Sequence, residues 1–260
     1  MKITLIQFEI AWANPTENIV RAEAAINRSP GSDLYIMPEM FTTGFIMKPK
    51  GLAESKDSDS LKWMIKKSKE MDAAICGSIA VEDNGHFYNR MYFVKPDGEV
   101  TTYDKSHLFI YGGEGEQYTS GNKRVVVNFR GVNILLEICY DLRFPMWCRN
   151  NMDENNNVLY DLIVYSAEWP LARKLAWDTL LSARAIENQC YVAACSCVGA
   201  DEWGEYFGGS KIIHPYGHVL AEDELNKPSE ITGEIDMEQL VKYRTKFPTL
   251  KDIIWKKDYC

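Results

Sequence analysis

Short strand-like runs alternate with helix signals and tight turns along the whole 260-residue sequence, and this order of elements restricts the chain to a sheet-centred α/β fold. Residues 2 to 8 alternate polar and apolar side chains as a strand does. Asn14-Pro15-Thr16-Glu17 then offers a cap, a first-turn proline and a capping-box acid for a helix to about Arg28. A second strand, Asp33 to Met37, runs into Pro38-Glu39. The spacing of Leu61, Met64, Ile65 and Ser68 predicts a helix over about Ser60 to Met71, with Lys62, Lys66, Lys67 and Lys69 on its solvated face. A strand over Ala74 to Val81 follows, and then a hairpin around Pro96-Asp97-Gly98 whose second strand ends in Tyr103-Asp104-Lys105. Strands Arg124 to Phe129 and Val132 to Ile138 meet at Arg130-Gly131, and the second ends at Cys139. A strand at Leu162 to Ser166, a helix at about Leu171 to Asn188 and a strand at Cys190 to Val198 come next. A hairpin around His214-Pro215-Tyr216-Gly217 and a helix from Asp236 complete the order. Hairpins among strand-helix alternations predict a mixed sheet. With no repeat period and no linker, residues 1-260 are expected to form one domain.

The formal charge of -8 argues against a nucleic-acid or anionic-membrane partner, because a general phosphate binder needs a net basic surface. The amino-terminal run lacks the apolar core of a signal peptide, and no apolar run approaches the roughly 20 residues that cross a bilayer. Seven scattered cysteines, four of them in apolar runs (Cys76, Cys190, Cys195, Cys197), suit buried thiols in a reducing compartment, so the cytoplasm is the expected location. Cys195-Ser196-Cys197 has no accompanying His or Cys motif for a metal. Gly113-Glu114-Gly115 and Gly121-Asn122-Lys123 fit neither a dinucleotide loop nor a phosphate loop. No cofactor and no metal are expected.

Glu39, Lys105 and Cys139 each follow a strand-like run, where ligands of sheet-centred folds gather. Residues 40 to 57 and 106 to 123 exceed the ~12 to 15 residues usual for structureless connections, a length typical of binding walls and lids. A carboxylate can take the proton of a thiol and return it to a departing amine, while an ammonium with backbone donors stabilises the oxyanion between those events. Each residue alone also has an ordinary reading: a small buried hydrophobe, a solvated loop acid and a surface ion pair with Asp104. Their joint occurrence carries the functional one.

Pro38-Glu39-Met40-Phe41-Thr42-Thr43-Gly44-Phe45, Tyr103-Asp104-Lys105-Ser106-His107-Leu108-Phe109 and Glu137-Ile138-Cys139-Tyr140-Asp141-Leu142-Arg143-Phe144-Pro145 resemble the Glu, Lys and Cys motifs of the nitrilase superfamily of carbon-nitrogen hydrolases. The resemblance covers nearly the whole chain. It implies a four-layer α-β-β-α sandwich with mixed sheets, thioester chemistry on Cys139 without a cofactor, and a homodimer or higher homo-oligomer paired through helical faces. Gly112-Gly113-Glu114-Gly115-Glu116-Gln117-Tyr118 resembles the loop carrying a second glutamate, assigned to Glu114, with Glu116 two residues away as the alternative.

Ser166-Ala167-Glu168-Trp169-Pro170 and Ala183-Arg184-Ala185-Ile186-Glu187-Asn188-Gln189 look most like the ω-amidase branch, which removes ammonia from 2-oxoglutaramate or 2-oxosuccinamate. The usual Asn before Trp-Pro is replaced here by Glu168. Arg143, whose planar fork pairs bidentately with a carboxylate, is the candidate substrate anchor, with Arg173 as a second; a structural pair with Asp141 is the alternative for Arg143. Tyr140, Phe45 and Trp169 are candidate substrate contacts, and Phe41 and Tyr118 are candidate walls, each alternatively core. The expected small-molecule partner is thus an amide bearing a carboxylate. Other readings are a nitrilase-type hydrolase of a nitrile, carbamoyl amine or different short amide, and a thiol redox sensor.

Overall fold

In the computed structural model, which describes residues 1-253, two mixed sheets stack face to face and helices cover both outer faces. The first sheet takes its strands from β1 (Lys2–Gln7), β2 (Leu34–Ile36), β3 (Glu54–Ser55), β4 (Ala74–Asp83), β5 (His86–Val94) and β6 (Val100–Asp104). The second takes β7 (Val126–Phe129), β8 (Val132–Ile138), β9 (Leu162–Ala167) and β10 (Tyr191–Ser196). A short antiparallel pair, β11 (Val198–Asp201) with β12 (Gly204–Phe207), stands apart. The chain then returns to the second sheet for β13 (Lys211–Ile213) and β14 (Val219–Glu222), and to the first for β15 (Ser229–Glu234). The orders are β15-β1-β2-β4-β5-β6, with β3 beside β4, and β14-β13-β10-β9-β8-β7. Parallel pairs fill the centre of each sheet (β1/β2/β4 and β8/β9/β10), and antiparallel hairpins form the flanks. This is the arrangement that hairpins among crossover units predict.

The layers follow from alternation along the strands. Ile3, Leu5, Ile36 and Phe93 of the first sheet meet Ile134, Leu136, Val164 and Ala193 of the second in the central core. Their alternate neighbours face the helices. Ile6, Tyr35 and Ile75 pack under α1 (Pro15–Arg28) and α2 (Asp59–Met71) through Ala22, Ala25, Ile26 and Met64. Leu135, Ile163, Tyr165 and Val192 pack under Trp177, Leu181 and Ala185 of the helix at Lys174–Asn188. The start of α1 is capped by the Asn14 side chain, which accepts from the Glu17 amide, with Pro15 in the first turn. The expected capping box is only half made, since the Glu17 carboxylate accepts from Arg21 and the Asn14 amide donates to the Ala11 carbonyl.

Three further expectations need correction. Lys67 is not on a solvated face: it is 4% exposed and its ammonium pairs with Glu23 of α1 at 2.6 Å and Glu70 at 2.7 Å, so it fastens the two helices. The strand expected over Cys190 to Val198 breaks at Cys197, where the chain leaves the sheet to pair as β11 with β12. The long connections are partly ordered by local structure, with β3 in the first and two short helical turns, Ile110–Gly112 and α3 (Glu114–Gln117), in the second. Among the described residues no helix is long and apolar enough to cross a membrane.

Candidate active site

Glu39 lies three residues past β2, Lys105 directly after β6 and Cys139 directly after β8, so strand ends of both sheets converge on one place. One contact between the sheets and one within the first sheet hold that convergence. Ser166 of β9 donates from Oγ to the Met37 carbonyl at 2.8 Å, and Ser78 of β4 accepts the Met40 amide on Oγ at 2.8 Å, which fixes the turn carrying Glu39.

Cys139 sits on a sharp bend between β8 and a 3-10 turn over Cys139–Arg143, with φ at 40°. A non-glycine residue in the left-handed region costs of order 1–3 kcal/mol and persists only where its surroundings impose it. Asp141, fully buried, supplies much of the imposition. It accepts the Ile138 amide at 3.0 Å, the Tyr103 hydroxyl at 2.8 Å and the His107 amide at 3.0 Å, and lies 2.8 Å from His107 Nδ1. One carboxylate thereby ties the bend of Cys139 to the loop of Lys105. The His107 ring stacks on Phe144 at 3.8 Å between centroids and extends the same clip.

Glu39, Lys105 and Glu114 are 1%, 1% and 0% exposed, which makes their pairing obligatory. Lys105 Nζ donates to Glu39 Oε1 at 2.8 Å and to Glu114 Oε2 at 2.9 Å. Asn89, from the middle of β5, bridges the same two acids, at 2.7 Å to Glu39 and 3.2 Å to Glu114. Glu39 Oε2 accepts the Glu168 amide at 3.1 Å, and Glu114 Oε2 accepts the Phe109 amide at 2.6 Å. Burial works against the Lys105 ammonium, but Glu114 and Glu39 outweigh it and hold the lysine above its ordinary value. Burial also raises Glu114, partly countered by Lys105. Burial and then the Glu39 charge push the Cys139 thiol well above the usual thiol range, with Lys105 acting the other way, so the resting sulfur keeps its proton. That proton points to the Glu168 carbonyl, with sulfur to oxygen at 3.8 Å.

A cavity of about 120 Å³ opens onto these groups, too small for a polymer and suited to a short molecule. Of the residues singled out in the sequence, Glu39, Lys105, Cys139, Tyr140, Phe45, Trp169, Arg143 and Arg173 line it. Glu114 stands behind Lys105, while Glu116 is exposed, which separates the two candidates. Phe41 and Tyr118 do not line it. Phe41 is core under Trp63, and Tyr118 backs the site, donating from its hydroxyl to the Ile46 carbonyl at 2.6 Å. Arg143 makes no ion pair among the described residues; its guanidinium lies 5.0 Å from the Trp169 ring centroid, and Asp141 is occupied elsewhere. Arg173 lies over Phe109 at 5.3 Å and Tyr111 at 5.8 Å. Sequence reasoning missed Asn89, Tyr111, and Trp203 and Tyr206, which the β11/β12 pair delivers to the cavity, and it placed Phe109 in the lysine motif without a role at the wall.

The family model for carbon-nitrogen hydrolases matches residues 2–245 of the chain. The chain belongs to the carbon-nitrogen hydrolase family. Relatives of this hydrolase include omega-amidase YafV of Escherichia coli, 42% identical over 97% of this chain and 96% of that protein. The 2-oxoglutaramate amidase of Bacillus subtilis is 38% identical over 96% of each. A solved structure of a CN-hydrolase superfamily protein from Xanthomonas campestris, with an arsenic adduct in its active site, superposes with a TM-score of 0.95 at 36% identity over 98% of both chains. This hydrolase therefore has the α-β-β-α sandwich expected from its motifs.

Proposed function

We propose that this hydrolase is an ω-amidase that releases ammonia from the terminal amide of a small carboxylate-bearing substrate such as 2-oxoglutaramate or 2-oxosuccinamate. The observation that carries the reading is a cavity with a thiol, a carboxylate and an ammonium at its floor and, on its wall, the guanidinium of Arg143, which has no ion-pair partner among the described residues. The names of the Escherichia coli and Bacillus subtilis relatives agree with it. Arg143, with Arg173 at the mouth, pairs the substrate carboxylate, while Trp169, Phe45 and Tyr140 enclose its chain.

Because the resting thiol is protonated, Glu39 takes its proton as sulfur adds to the amide carbon. Negative charge moves to the carbonyl oxygen, where Lys105 and the amide of Tyr140 receive it. Glu39 then gives the proton to nitrogen, the C–N bond breaks and ammonia leaves a thioester on Cys139. Water adds to the thioester with Glu39 again accepting a proton, the C–S bond breaks, and the proton returns to the thiol. Glu114 orients Lys105 through its two-oxygen contact. The same reading takes residues 1-260 as one catalytic domain in the cytoplasm. It assembles as a homodimer or larger homo-oligomer through helical faces, which the exposed Leu175, Ile186 and Val241 support.

A panel of amides scored by ammonia release tests the substrate class. Carboxylate-bearing ω-amides are expected to exceed neutral amides of equal length in kcat/KM by about 100-fold or more, since a neutral analogue leaves the guanidinium unpaired. Arg143→Leu should narrow that gap by slowing the charged substrates. Equal efficiency on charged and neutral amides refutes the ω-amidase reading and leaves the hydrolase standing.

A further inference from the structure

Glu168 directly follows β9 with its backbone tied into the catalytic centre, yet its carboxyl has no part in the steps above. Its amide donates to Glu39 and its carbonyl accepts the Cys139 thiol, which fixes the residue beside the nucleophile. The residue is 7% exposed, lines the cavity, and leaves Oε1 enclosed with no hydrogen-bond partner among the described residues. An enclosed polar atom without a partner is costly, and a ligand group that pairs with it recovers that cost as binding.

Glu168 borders both this cavity and a neighbouring hollow shared with Cys197, Asp201 and Tyr206, and the proposed substrate lies on the cavity side. With the amide carbon at Cys139 and the carboxylate on Arg143, the two ends of the substrate bracket Glu168, whose carbonyl touches the sulfur and whose neighbour Trp169 carries Arg143 over its ring. Glu39 and Lys105 face Glu168 from the first sheet, and Asp201 faces it from β11 with the Tyr206 hydroxyl of β12 donating to Asp201 at 3.0 Å. Cys197 lies beside it, with Tyr118 behind. Burial, then the charges of Glu39 and Asp201, push the Glu168 carboxyl well above the usual carboxylate range, against the opposing pull of the Phe45 amide and Lys105. This favours the protonated carboxyl, which offers a donor as well as an acceptor.

We propose that Glu168 is a specificity-determining residue whose carboxyl donates a hydrogen bond to an oxygen carried between the amide and the carboxylate of the substrate, such as the 2-oxo oxygen of 2-oxoglutaramate. This rests on the ω-amide reading. The acid selects oxygenated ω-amides over their plain aliphatic counterparts. It does so only while protonated, since the ionised form has no donor and repels an oxygen.

The test compares kcat/KM for 2-oxoglutaramate and for glutaramate, which has the same chain length, amide and carboxylate but no 2-oxo oxygen. The wild-type enzyme should favour the 2-oxo substrate by ~10-fold or more, the scale of one hydrogen bond to a buried partner. Glu168→Leu should bring that ratio close to one. Glu168→Gln, which keeps a donor, should retain most of it. The wild-type ratio should fall as pH rises through the raised Glu168 value, while the ratio for Glu168→Gln stays level, a difference that a purely structural role would not produce. If Glu168→Leu does not fold, the pH comparison with Glu168→Gln decides. A wild-type ratio near one, a ratio unchanged in Glu168→Leu, or the same pH course in Glu168→Gln overturns the inference while leaving the ω-amidase reading intact. Preference for neutral amides over both acids removes the two together.

Discussion

Within the cluster of Glu39, Lys105 and Glu114 each carboxylate oxygen accepts at least one hydrogen bond, whereas both oxygens of Glu137, on β8 two residues before Cys139, accept none among the described residues. The acids of both clusters are buried, and both clusters hold cations. Around Glu137 the cations are Arg124 and Arg184, yet Nε and Nη2 of Arg124 and Nε of Arg184 also lack partners among the described residues, as does the Tyr165 hydroxyl. Burial, then the nearby Asp141, push Glu137 well above its ordinary 4.5, with Arg124 and Arg184 pulling against this. Burial raises an acid wherever it occurs; what distinguishes the front cluster is an ammonium at hydrogen-bond distance, held there by two acids and Asn89. The direction of this shift favours the protonated form of the rear acid.

The largest effect that tests this contrast is at the nucleophile. Cys139→Ala should lower ammonia release by about 10⁴-fold or more with the thermal transition nearly unchanged, because sulfur is needed only for bond formation. Near-wild-type turnover would remove Cys139 from the mechanism. Glu39→Gln should be almost as inactive, since the amide accepts no proton from the thiol.

Lys105→Met should damage both properties. Loss of oxyanion stabilisation predicts about 10²–10³-fold in kcat, and two buried acids left without their cation predict a loss of about 3–5 kcal/mol. A fall in affinity alone, with kcat intact, would make Lys105 a binding residue and dissolve the contrast.

The smallest effect is at the rear. An acid whose folded pKa is raised stays protonated in the native state while the unfolded chain releases the proton, so its contribution to stability declines as pH rises from about 4.5 toward the folded value. Glu137→Gln removes that decline. Its melting temperature should match wild type below pH 4.5 and exceed it at neutral pH by roughly 2 °C, the shift expected for about 1 kcal/mol in a chain of this size. A variant less stable than wild type at neutral pH would mean that Glu137 is a paired anion, like Glu39.

Glu39, Lys105 and Cys139 were legible because strand periodicity stops at each and loops of unusual length follow two of them. Arg143 was legible through its nearness to the nucleophile, although nothing local showed that Asp141 would be taken by Tyr103 and His107. Asn89 was hidden inside a continuous strand, where an asparagine looks like an ordinary polar alternation. Lys67 was misplaced because helical spacing alone assigned it to water, while the crossing of α1 over α2 brings Glu23 to it. Trp203 and Tyr206 depend on a strand pair that leaves the sheet after Ser196, a change of partner that no local pattern signals.

The convergence of strand ends from both sheets has a consequence for biosynthesis. Residues 2–104 build the first sheet apart from β15, and residues 126–222 build the second, so the acid-base pair emerges from the ribosome well before the thiol it serves. The early half carries a proton acceptor with nothing to activate, and the late half a thiol with nothing to activate it. On the proposed mechanism catalytic competence requires the two sheets to dock, and ammonia release measured on a stalled or fragment-complemented chain would report that docking more directly than a spectroscopic signal of secondary structure.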